Sequence, residues 1–431
     1  PSASGYAVYV RDDKGGIFQA NLDSKAAFVG GSYLTPEQLA TKETTTGTDF
    51  NGDLNVPAAP GWTSVLKDTL IKTTVESAIA ANGKMNYNQV LFLANSIIQT
   101  HKSTGNSPIS ATEVADLQAL SSRGNNLFTS TSADNAPSDY LANVFSKMVD
   151  GSVANEFYSG GQTKRVMLGN LFPNSPLSTF EKLVDKWLLG GDNPAPSAGG
   201  DTATGKAAST VGTYAQSQGT LFVDGTKPAD IKQGQVGDCF LAAALLSIAQ
   251  SQPDAFKSVF VDNGVLNGTH TWGVRFLDSN GKAHWVTVND QLPVTGAGST
   301  TLIYGGNPGG DLNGEIWFPL IEKAYAEANA LKILPRAEQT GQNAYWGIEG
   351  GYADPIANIT GKKVTAYSLN PTSFGDNPYI DIKVIDKTDA AQYAAFQSAV
   401  VGAVSSNTPV WIGSFVTTKD AYENTLLTSG H

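Results

Sequence analysis

One thiol in this sequence could attack an acyl group, and a glutamine six positions before it could stabilise the oxyanion that such an attack forms. Cys239 is the only cysteine among the 431 residues. It follows Asp238 and precedes an apolar run at 240–249, which predicts a helix buried on every side. We expect the Asp238 carboxylate to cap this helix and the helix dipole to favour the Cys239 thiolate, the better nucleophile. The side-chain amide of Gln233 and the backbone N–H of Cys239 could then form an oxyanion hole.

A structural interpretation competes with this one. A lone cysteine at a helix start is often a small buried apolar residue, and Gln233 would then lie at the surface. The glycines on either side, Gly234 and Gly237, favour the functional interpretation, because they allow the backbone of this loop to approach its neighbours closely.

Five segments, in the same order along the chain, resemble the calpain-type cysteine proteases. QGQVGDCFLAA at 233–243 is similar to their nucleophile segment, with Phe240 where Trp is commoner. The other four are HWVTVNDQLP at 284–293, EIWFPLIEKAYA at 315–326, the Gly-Gly turn and short helix at 348–361, and SGH at 429–431. The resemblance covers residues 220–431, about half of the chain.

The resemblance implies an α+β, papain-like protease core, with a helical subdomain that carries the cysteine and a β-rich subdomain that carries a histidine. It implies a cysteine endopeptidase that acts on protein or peptide substrates through a thioester. Cys239 would be the nucleophile, His431 the general base and Gln233 an oxyanion donor. The competing interpretation of His431 is the first residue of a purification tag.

The orienting Asn of this family follows the histidine, and the sequence ends at His431. We therefore expect the His subdomain to be truncated here, and a C-terminal continuation or a second chain to complete the core. The alternative function is a catalytically incomplete, calpain-like binding or adhesion module of a secreted bacterial protein. Intact Gln233 and Cys239 favour the endopeptidase.

The other histidines have weaker claims to chemistry. His270 and His284 fall in predicted hairpin strands, where structural roles are commoner. His101 falls near a helix end, which predicts a solvated cation beside the helix C-terminus.

Calcium is the one cofactor that the sequence suggests. The resemblance implies calcium sites in the protease core, where Asp230 matches one ligand by position and Glu349 lies near the expected second. A separate candidate loop near the N-terminus alternates oxygen side chains as an EF-hand does, although Pro60 replaces its final Glu. The competing interpretation is an Asx-rich turn. The oxygen side chains of this loop belong to Asp49, Asn51, Asp53 and Asn55.

Composition shifts predict four regions. Residues 1–58 read as a small α/β module, with strands at 6–10 and 17–22 and a helix that Thr35 caps. Residues 59–192 read as a helical domain without chemistry, 193–219 as an exposed flexible linker that a protease would cleave readily, and 220–431 as the protease core. The predicted helices of the second region are 62–81, 87–101, 111–122, 139–148 and 178–189.

Charge and hydropathy exclude several classes of partner. The net charge of −11, without a basic cluster, argues against nucleic acid. No apolar run approaches the ~20 residues that a membrane span needs. One cysteine excludes an intramolecular disulfide and a cysteine-based zinc site. The many Gly, Thr, Ser and Asn residues suit a secreted or extracellular bacterial protein, with the cytoplasm as the alternative.

Overall fold

The computed structural model places most of the chain. It describes residues 6–12, 16–23, 25–46, 50, 61–200, 207–335, 341–368, 377–386, 388–410, 418–419 and 425–427. Contacts divide the chain into two compact units. The first unit contains Pro1–Thr131, Pro137–Gly151 and Asn170–Val184, and the second contains Ser132–Ala136, Ser152–Gly169 and Asp185–His431. The second unit therefore includes residues that composition assigns to the helical domain and to the linker.

The first unit begins with a three-stranded antiparallel sheet in sequence order. Its strands are β1 (Tyr6–Arg11), β2 (Ile17–Leu22) and β3 (Phe28–Tyr33). Helix α1 (Pro36–Thr46) follows. Thr35 and Gln38 exchange hydrogen bonds between side chain and backbone, as a capping box does. The predicted strands and the predicted helix start are confirmed here.

Helices make up most of the rest of the first unit, and all but the short helix Gly124–Leu127 fall where the apolar spacing predicts them. The predicted helix at 178–189 is α-helical only as far as Val184, and a π-helical segment follows at Asp185–Leu189. The predicted helix at 62–81 is divided, however. A 3₁₀ turn at Trp62–Val65 is followed by a new start at Asp68, whose carboxylate accepts the backbone N–H of Ile71 at 2.9 Å. A short hairpin joins β4 (Ser130–Thr131) to β5 (Pro137–Ser138). The helices are α2 (Thr69–Asn82), α3 (Tyr87–Ser103), α4 (Ala111–Ser121), α5 (Gly124–Leu127), α6 (Tyr140–Val149) and α7 (Leu177–Val184).

The predicted solvated role of His101 is wrong. This side chain is buried between the end of α3 and the start of α4, with Nε2 2.8 Å from Glu113 Oε1 and Nδ1 2.8 Å from Ser107 Oγ. Burial acts to raise the pKa of Glu113, but hydrogen bonds from Ser110 and His101 outweigh it and hold that pKa below its usual value. His101 is a structural residue of the helical core.

Two long helices and a three-stranded antiparallel sheet form the centre of the second unit. The helices are α8 (Cys239–Ser251) and α9 (Trp317–Asn329), and a shorter helix, α10 (Asp354–Thr360), contacts α8. The sheet order is β11-β12-β13. A turn at the predicted Asn280–Gly281 position joins β12 to β13. These strands are β11 (Phe260–Leu266), β12 (Thr269–Leu277) and β13 (Ala283–Asn289).

Aromatic side chains hold these elements together. The ring of Tyr325 on α9 lies 5.5 Å from that of Phe276 on β12 and 6.3 Å from that of Phe240 on α8. Every residue of α9 is buried. Helix α8 is less completely buried than its apolar sequence predicts, because Leu246 is 43% exposed. The buried end of α8 includes Phe240 and Leu241, so the start of this helix is fixed by the core.

Short strand pairs extend this core. Strand β10 (Thr213–Gln216) pairs antiparallel with β14 (Gln291–Val294). Strand β15 (Val364–Ser368) pairs in parallel with β16 (Ile380–Val384), and helix α11 (Ala390–Ser405) follows. The remaining antiparallel pairs are β6 (Phe157–Tyr158) with β7 (Val166–Met167), β8 (Ser197–Ala198) with β9 (Thr210–Val211), and β17 (Thr418–Lys419) with β18 (Thr425–Leu427).

Residues 193–200 do not form the exposed linker that composition predicts for 193–219. Ser197 and Ala198 are fully buried. The backbone N–H of Ala195 donates to the carbonyl of Asn343 at 3.0 Å, and the carbonyl of Pro196 accepts from the Tyr304 hydroxyl at 2.7 Å. Small Pro, Ala and Ser residues suit close packing as well as flexible chains, and here they pack.

The fold is therefore mixed α and β. No helix among the described residues combines the length and the apolar character needed to cross a membrane.

Candidate active site

Helix α8 begins at the thiol. Cys239 is its first residue and is partly exposed, whereas Phe240 and Leu241 behind it are fully buried. The carbonyl oxygen of Asp238 accepts the backbone N–H of Leu241 at 2.7 Å and that of Ala242 at 3.2 Å. A reagent could therefore reach the thiol from one side, while the core fixes the backbone beneath it.

Asp238 occupies the predicted N-cap position but not with the predicted hydrogen bonds. Its side chain makes no cap bond to the backbone of α8, and its φ and ψ of −104° and 25° differ from the extended backbone typical of an N-cap. Its side chain is fully buried. The carboxyl group therefore points into the core and not along the helix start.

The predicted preference for the thiolate is also wrong for this arrangement. Burial raises the pKa of Cys239 above its ordinary value, and the neighbouring Asp238 carboxylate raises it further, although the backbone N–H of Phe240 acts to lower it. Desolvation and the Asp238 charge thus outweigh the backbone N–H groups at the helix start. Without a cationic partner, the thiol stays protonated at neutral pH.

A second loop holds the segment that precedes the thiol. Lys232 and Gly306 exchange two backbone hydrogen bonds of 3.0 and 2.9 Å, and the N–H of Gln235 donates to the carbonyl of Ile303 at 2.8 Å. A Cβ added to Gly234 would lie 2.1 Å from the carbonyl oxygen of Tyr304. The predicted close approach is confirmed at Gly234. At Gly237 the added Cβ would make only ordinary 3.5 Å contacts.

This packing predicts that Gly234→Ala destabilises the second unit. The added methyl has no room against two carbonyl groups, so the loops must separate at a cost of about 1–3 kcal/mol. Gly296→Ala is the matched control, because a Cβ there would meet nothing within 4 Å. We expect that control to change the unfolding free energy by less than about 0.5 kcal/mol. Equal urea midpoints for the two variants would contradict the packing described here.

Gln233 is exposed and turned towards its own loop. Its Nε2 donates to the carbonyl of Val236 at 2.9 Å, and its amide also acts to lower the pKa of Asp238. Its service as an oxyanion donor remains a prediction. To serve, the amide would exchange its bond to Val236 for a bond to the substrate.

A buried acidic pair lies behind the thiol, and sequence reasoning missed it. The Asp238 and Glu322 side chains are both buried, and both oxygens of Glu322 accept the backbone N–H of Gly305, at 2.9 and 2.7 Å. Burial, followed by the Asp238 carboxylate, raises the pKa of Glu322 well above its usual value. Burial raises the pKa of Asp238 to about 6. Near neutral pH, Glu322 is therefore neutral and Asp238 carries the charge.

The raised pKa of Glu322 predicts a pH-dependent stability difference between the native protein and Glu322→Gln. A neutral buried acid contributes stability fully below its unfolded pKa, about 4.3, and this contribution is lost as the pH rises towards the folded pKa. Gln cannot ionise. We therefore expect the unfolding free energy of the variant to rise relative to that of the native protein between about pH 5 and pH 8. Urea titrations at both pH values measure this, and a difference independent of pH would refute the neutral state of Glu322.

The described histidines do not lie beside the thiol. His270 Nε2 is 2.6 Å from Asp262 Oδ1, and His284 Nε2 is 2.9 Å from Asp278 Oδ2. Both pairs belong to the hairpin strands, in agreement with their predicted structural role. His431 lies outside the described residues, so its role as general base remains a prediction.

Asp230 and Glu349 accept hydrogen bonds from protein donors, and their role as calcium ligands remains a prediction. Asp230 Oδ2 accepts from the Lys227 backbone at 2.6 Å and from Trp317 Nε1 at 3.1 Å. Glu349 Oε1 accepts the backbone N–H of Gly199 at 2.6 Å. In the described part of the chain, no three His, Cys, Asp or Glu side chains gather in a way that could hold a metal ion. The candidate ligands Asp49, Asn51, Asp53 and Asn55 lie outside the described residues.

A buried lysine is a further residue that sequence reasoning did not single out. Lys323 Nζ donates to the backbone carbonyl and Oδ1 of Asn289, at 3.0 and 2.7 Å, and to the carbonyl of Gln291 at 2.9 Å. Burial lowers the pKa of Lys323 to about 8. The side chain fastens α9 to the junction between β13 and β14. The only sequence signal was a charged pair, Glu322–Lys323, directly after the apolar run at 316–321.

Comparison with known proteins agrees with the position of this site. Residues 212–357 match the family model described as calpain family cysteine protease. The chain is 35% identical to a calpain of Schistosoma mansoni over 154 residues. This alignment covers 35% of this chain and 18% of the relative. It is 29% identical to calpain-5 of Mus musculus over 167 residues. This alignment covers 34% of this chain and 22% of the relative.

The matched part of the chain thus spans about a fifth of the length of these curated relatives. It contains the thiol at the start of α8, the loop that holds it, and all of α9. By sequence, residues 212–357 therefore correspond to a calpain-family cysteine protease domain.

Proposed function

We propose that this protein is a calpain-like cysteine endopeptidase that cleaves peptide bonds through a thioester on Cys239. The observation that carries the proposal is the place of this thiol. It lies partly exposed at the start of a core helix, within the segment that matches the protease family. The activity of the whole protein, its substrates and its regulation are part of the proposal.

The proposed reaction uses one nucleophile, the Cys239 thiol, and one base, the His431 imidazole. His431 takes the thiol proton as Sγ attacks the scissile carbonyl carbon, and the C=O pair moves to oxygen to give a tetrahedral oxyanion. The backbone N–H of Cys239 and the amide of Gln233 stabilise that oxyanion. When the C–N bond breaks, His431 returns the proton to the leaving amine. His431 then takes a proton from water as its oxygen attacks the thioester carbonyl carbon. The C–S bond breaks, the carboxylic acid product leaves, and the proton returns to the Cys239 sulfur.

The raised pKa of Cys239 makes the base essential to this proposal. A protonated thiol attacks an amide poorly, so an imidazole must reach Sγ and share its proton. We propose that His431 does so from a β-rich subdomain, of which β15, β16 and α11 are described elements.

A second candidate function follows from the same thiol. A calpain-like module that binds partners without catalysis is favoured by the raised pKa of Cys239 and by the Asp partners of His270 and His284. The endopeptidase remains the first choice, because a binding module has no need of a reachable thiol.

A peptidyl vinyl sulfone distinguishes the two functions, because it reacts rapidly only with a cysteine that a base activates. We expect covalent labelling of the native protein at Cys239, seen as a mass increase equal to the reagent, and none with Cys239→Ala. Iodoacetamide, which needs no binding site, should label Cys239 in either case. Iodoacetamide labelling without vinyl sulfone labelling would favour the binding module.

Two further features stay predictions. Calcium dependence follows from the resemblance alone, and it is tested by repeating the vinyl sulfone reaction with calcium and with a chelator. Equal rates under both conditions would refute it. A secreted or extracellular bacterial location, with the cytoplasm as the alternative, follows from composition alone.

A further inference from the structure

Glu322 connects three parts of the nucleophile region from one buried position. It belongs to α9, its carboxyl group accepts the backbone N–H of Gly305, and it lies beside the carboxyl group of Asp238. A Cβ on Gly305 would come within 2.8 Å of the Glu322 carboxyl carbon, so a glycine is what lets the loop approach this closely.

The loop that Glu322 fastens is the one that holds the residues before the thiol. Gly306 bonds to Lys232, and Ile303 accepts the N–H of Gln235. Glu322 therefore supports the thiol by two routes. One runs through Gly305 to the loop at 232–236, and the other runs directly to Asp238, the residue before Cys239.

The Asp238 carboxyl has few other partners. No N–H or hydroxyl group of the described residues donates a well-formed hydrogen bond to its oxygens. A protonated Glu322 carboxyl group is the donor that remains, and the Gln233 amide also lies near enough to stabilise the Asp238 charge. Glu349 is the other charged group that faces it, and Glu349 acts to destabilise that charge. Tyr304 and Tyr345 lie on the Glu322 side, and burial, as the first cause, raises the pKa of each above its usual value, so both are neutral.

We propose that Glu322 is a positioning residue for the nucleophile: acting through Asp238, its carboxyl group sets the reactivity of the Cys239 thiol. A neutral Glu322 donates a hydrogen bond to the Asp238 carboxylate and thereby helps to keep it ionised in a buried site. The ionised Asp238, in turn, opposes ionisation of the neighbouring thiol. The pair therefore keeps Cys239 as an unreactive thiol until a base approaches. The proposal rests on the proposed role of Cys239 as nucleophile.

The test is the pH dependence of Cys239 alkylation by iodoacetamide, followed by mass spectrometry on the full chain. Cys239 is the only cysteine, so all label reports this thiol. For Asp238→Asn, which removes the charge and keeps the shape, we expect the alkylation midpoint to fall and the rate near neutral pH to rise roughly 3- to 10-fold. This profile is read without peptide cleavage, so it stands or fails independently of the endopeptidase activity.

Two substitutions of Glu322 separate the effect of its hydrogen bonds from the effect of its side-chain volume. Gln can still donate to Asp238 and accept from Gly305, so Glu322→Gln should keep the native midpoint. Leu can do neither, so Asp238 should become protonated in Glu322→Leu and the alkylation rate should rise towards that of Asp238→Asn. Because Glu322 acts through Asp238, Glu322→Leu should add nothing to Asp238→Asn in the double variant.

Several outcomes would overturn the proposal. They are an unchanged midpoint in Asp238→Asn, a native profile in Glu322→Leu, or additive effects in the double variant. If Glu322→Leu fails to fold, the comparison of Asp238→Asn with Glu322→Gln still decides, because equal shifts in these two variants would contradict the proposal.

Discussion

Cys239→Ala is expected to abolish peptide bond cleavage, because it removes the only thiol and with it the thioester route. The fold should survive. The side chain is partly exposed, and the loss of one sulfur atom at this position should cost no more than about 1–3 kcal/mol. The measurement is hydrolysis of a fluorogenic peptide by the native protein and by the variant, with urea unfolding of both as the check on folding.

Gln233→Ala is expected to lower peptidase activity only in part, in contrast to the full loss in Cys239→Ala. If its amide leaves Val236 to stabilise the oxyanion, its removal should lower turnover roughly 10²–10³-fold without abolishing it. Full peptidase activity in Cys239→Ala, in a preparation that includes any downstream segment, would refute the thioester mechanism. Unchanged activity in Gln233→Ala would instead leave the thioester intact and remove only the oxyanion role of this residue.

Lys323→Ala is expected to produce the largest loss of stability, about 3–5 kcal/mol. The substitution leaves three buried acceptors, on Asn289 and Gln291, without the ammonium that now donates to them. It also opens a cavity beside a fully buried helix. The free energy of unfolding from urea titration of the second unit measures the effect.

Lys257→Ala is the matched control, because Lys257 also pairs with a carboxylate, Asp254, but at the surface. Its side chain is 50% exposed, and such pairs contribute little, so we expect a change within about 0.5 kcal/mol. Similar losses for both lysines would mean that the hydrogen bonds of Lys323 do not stabilise the core.

Local features of the site could be predicted from the sequence. The start of α8 follows from a capping residue type before an apolar run, and the close approach at Gly234 follows from the need for a residue without a side chain. Both depend on residues that are neighbours along the chain. The hairpin at Asn280–Gly281 and the helices of the first unit were predictable for the same reason.

Features that depend on distant residues could not be predicted. The Asp238 carboxyl turns inward towards Glu322, which lies on another helix, and the sequence does not show that both are buried. The raised pKa of Cys239 follows from that arrangement, because burial and the Asp238 charge outweigh the hydrogen bonds from the backbone N–H groups at the helix start. The burial of His101 beside Glu113 depends on how two helices meet, and apolar spacing alone does not give it.

The packing of 193–200 changes how the family-matched part of the chain can be isolated. A fragment trimmed to the matched residues, 212–357, would lose Ala195, whose N–H bonds to Asn343, and the Pro196 carbonyl that accepts the Tyr304 hydroxyl. The second unit also draws on Ser132–Ala136 and Ser152–Gly169, so its residues are not one continuous stretch. Cutting the chain at one position therefore does not yield this unit alone, because the unit consists of three separate stretches of sequence. Expression of the domain on its own would therefore call for redesign of the chain, with its separated pieces joined by new connections.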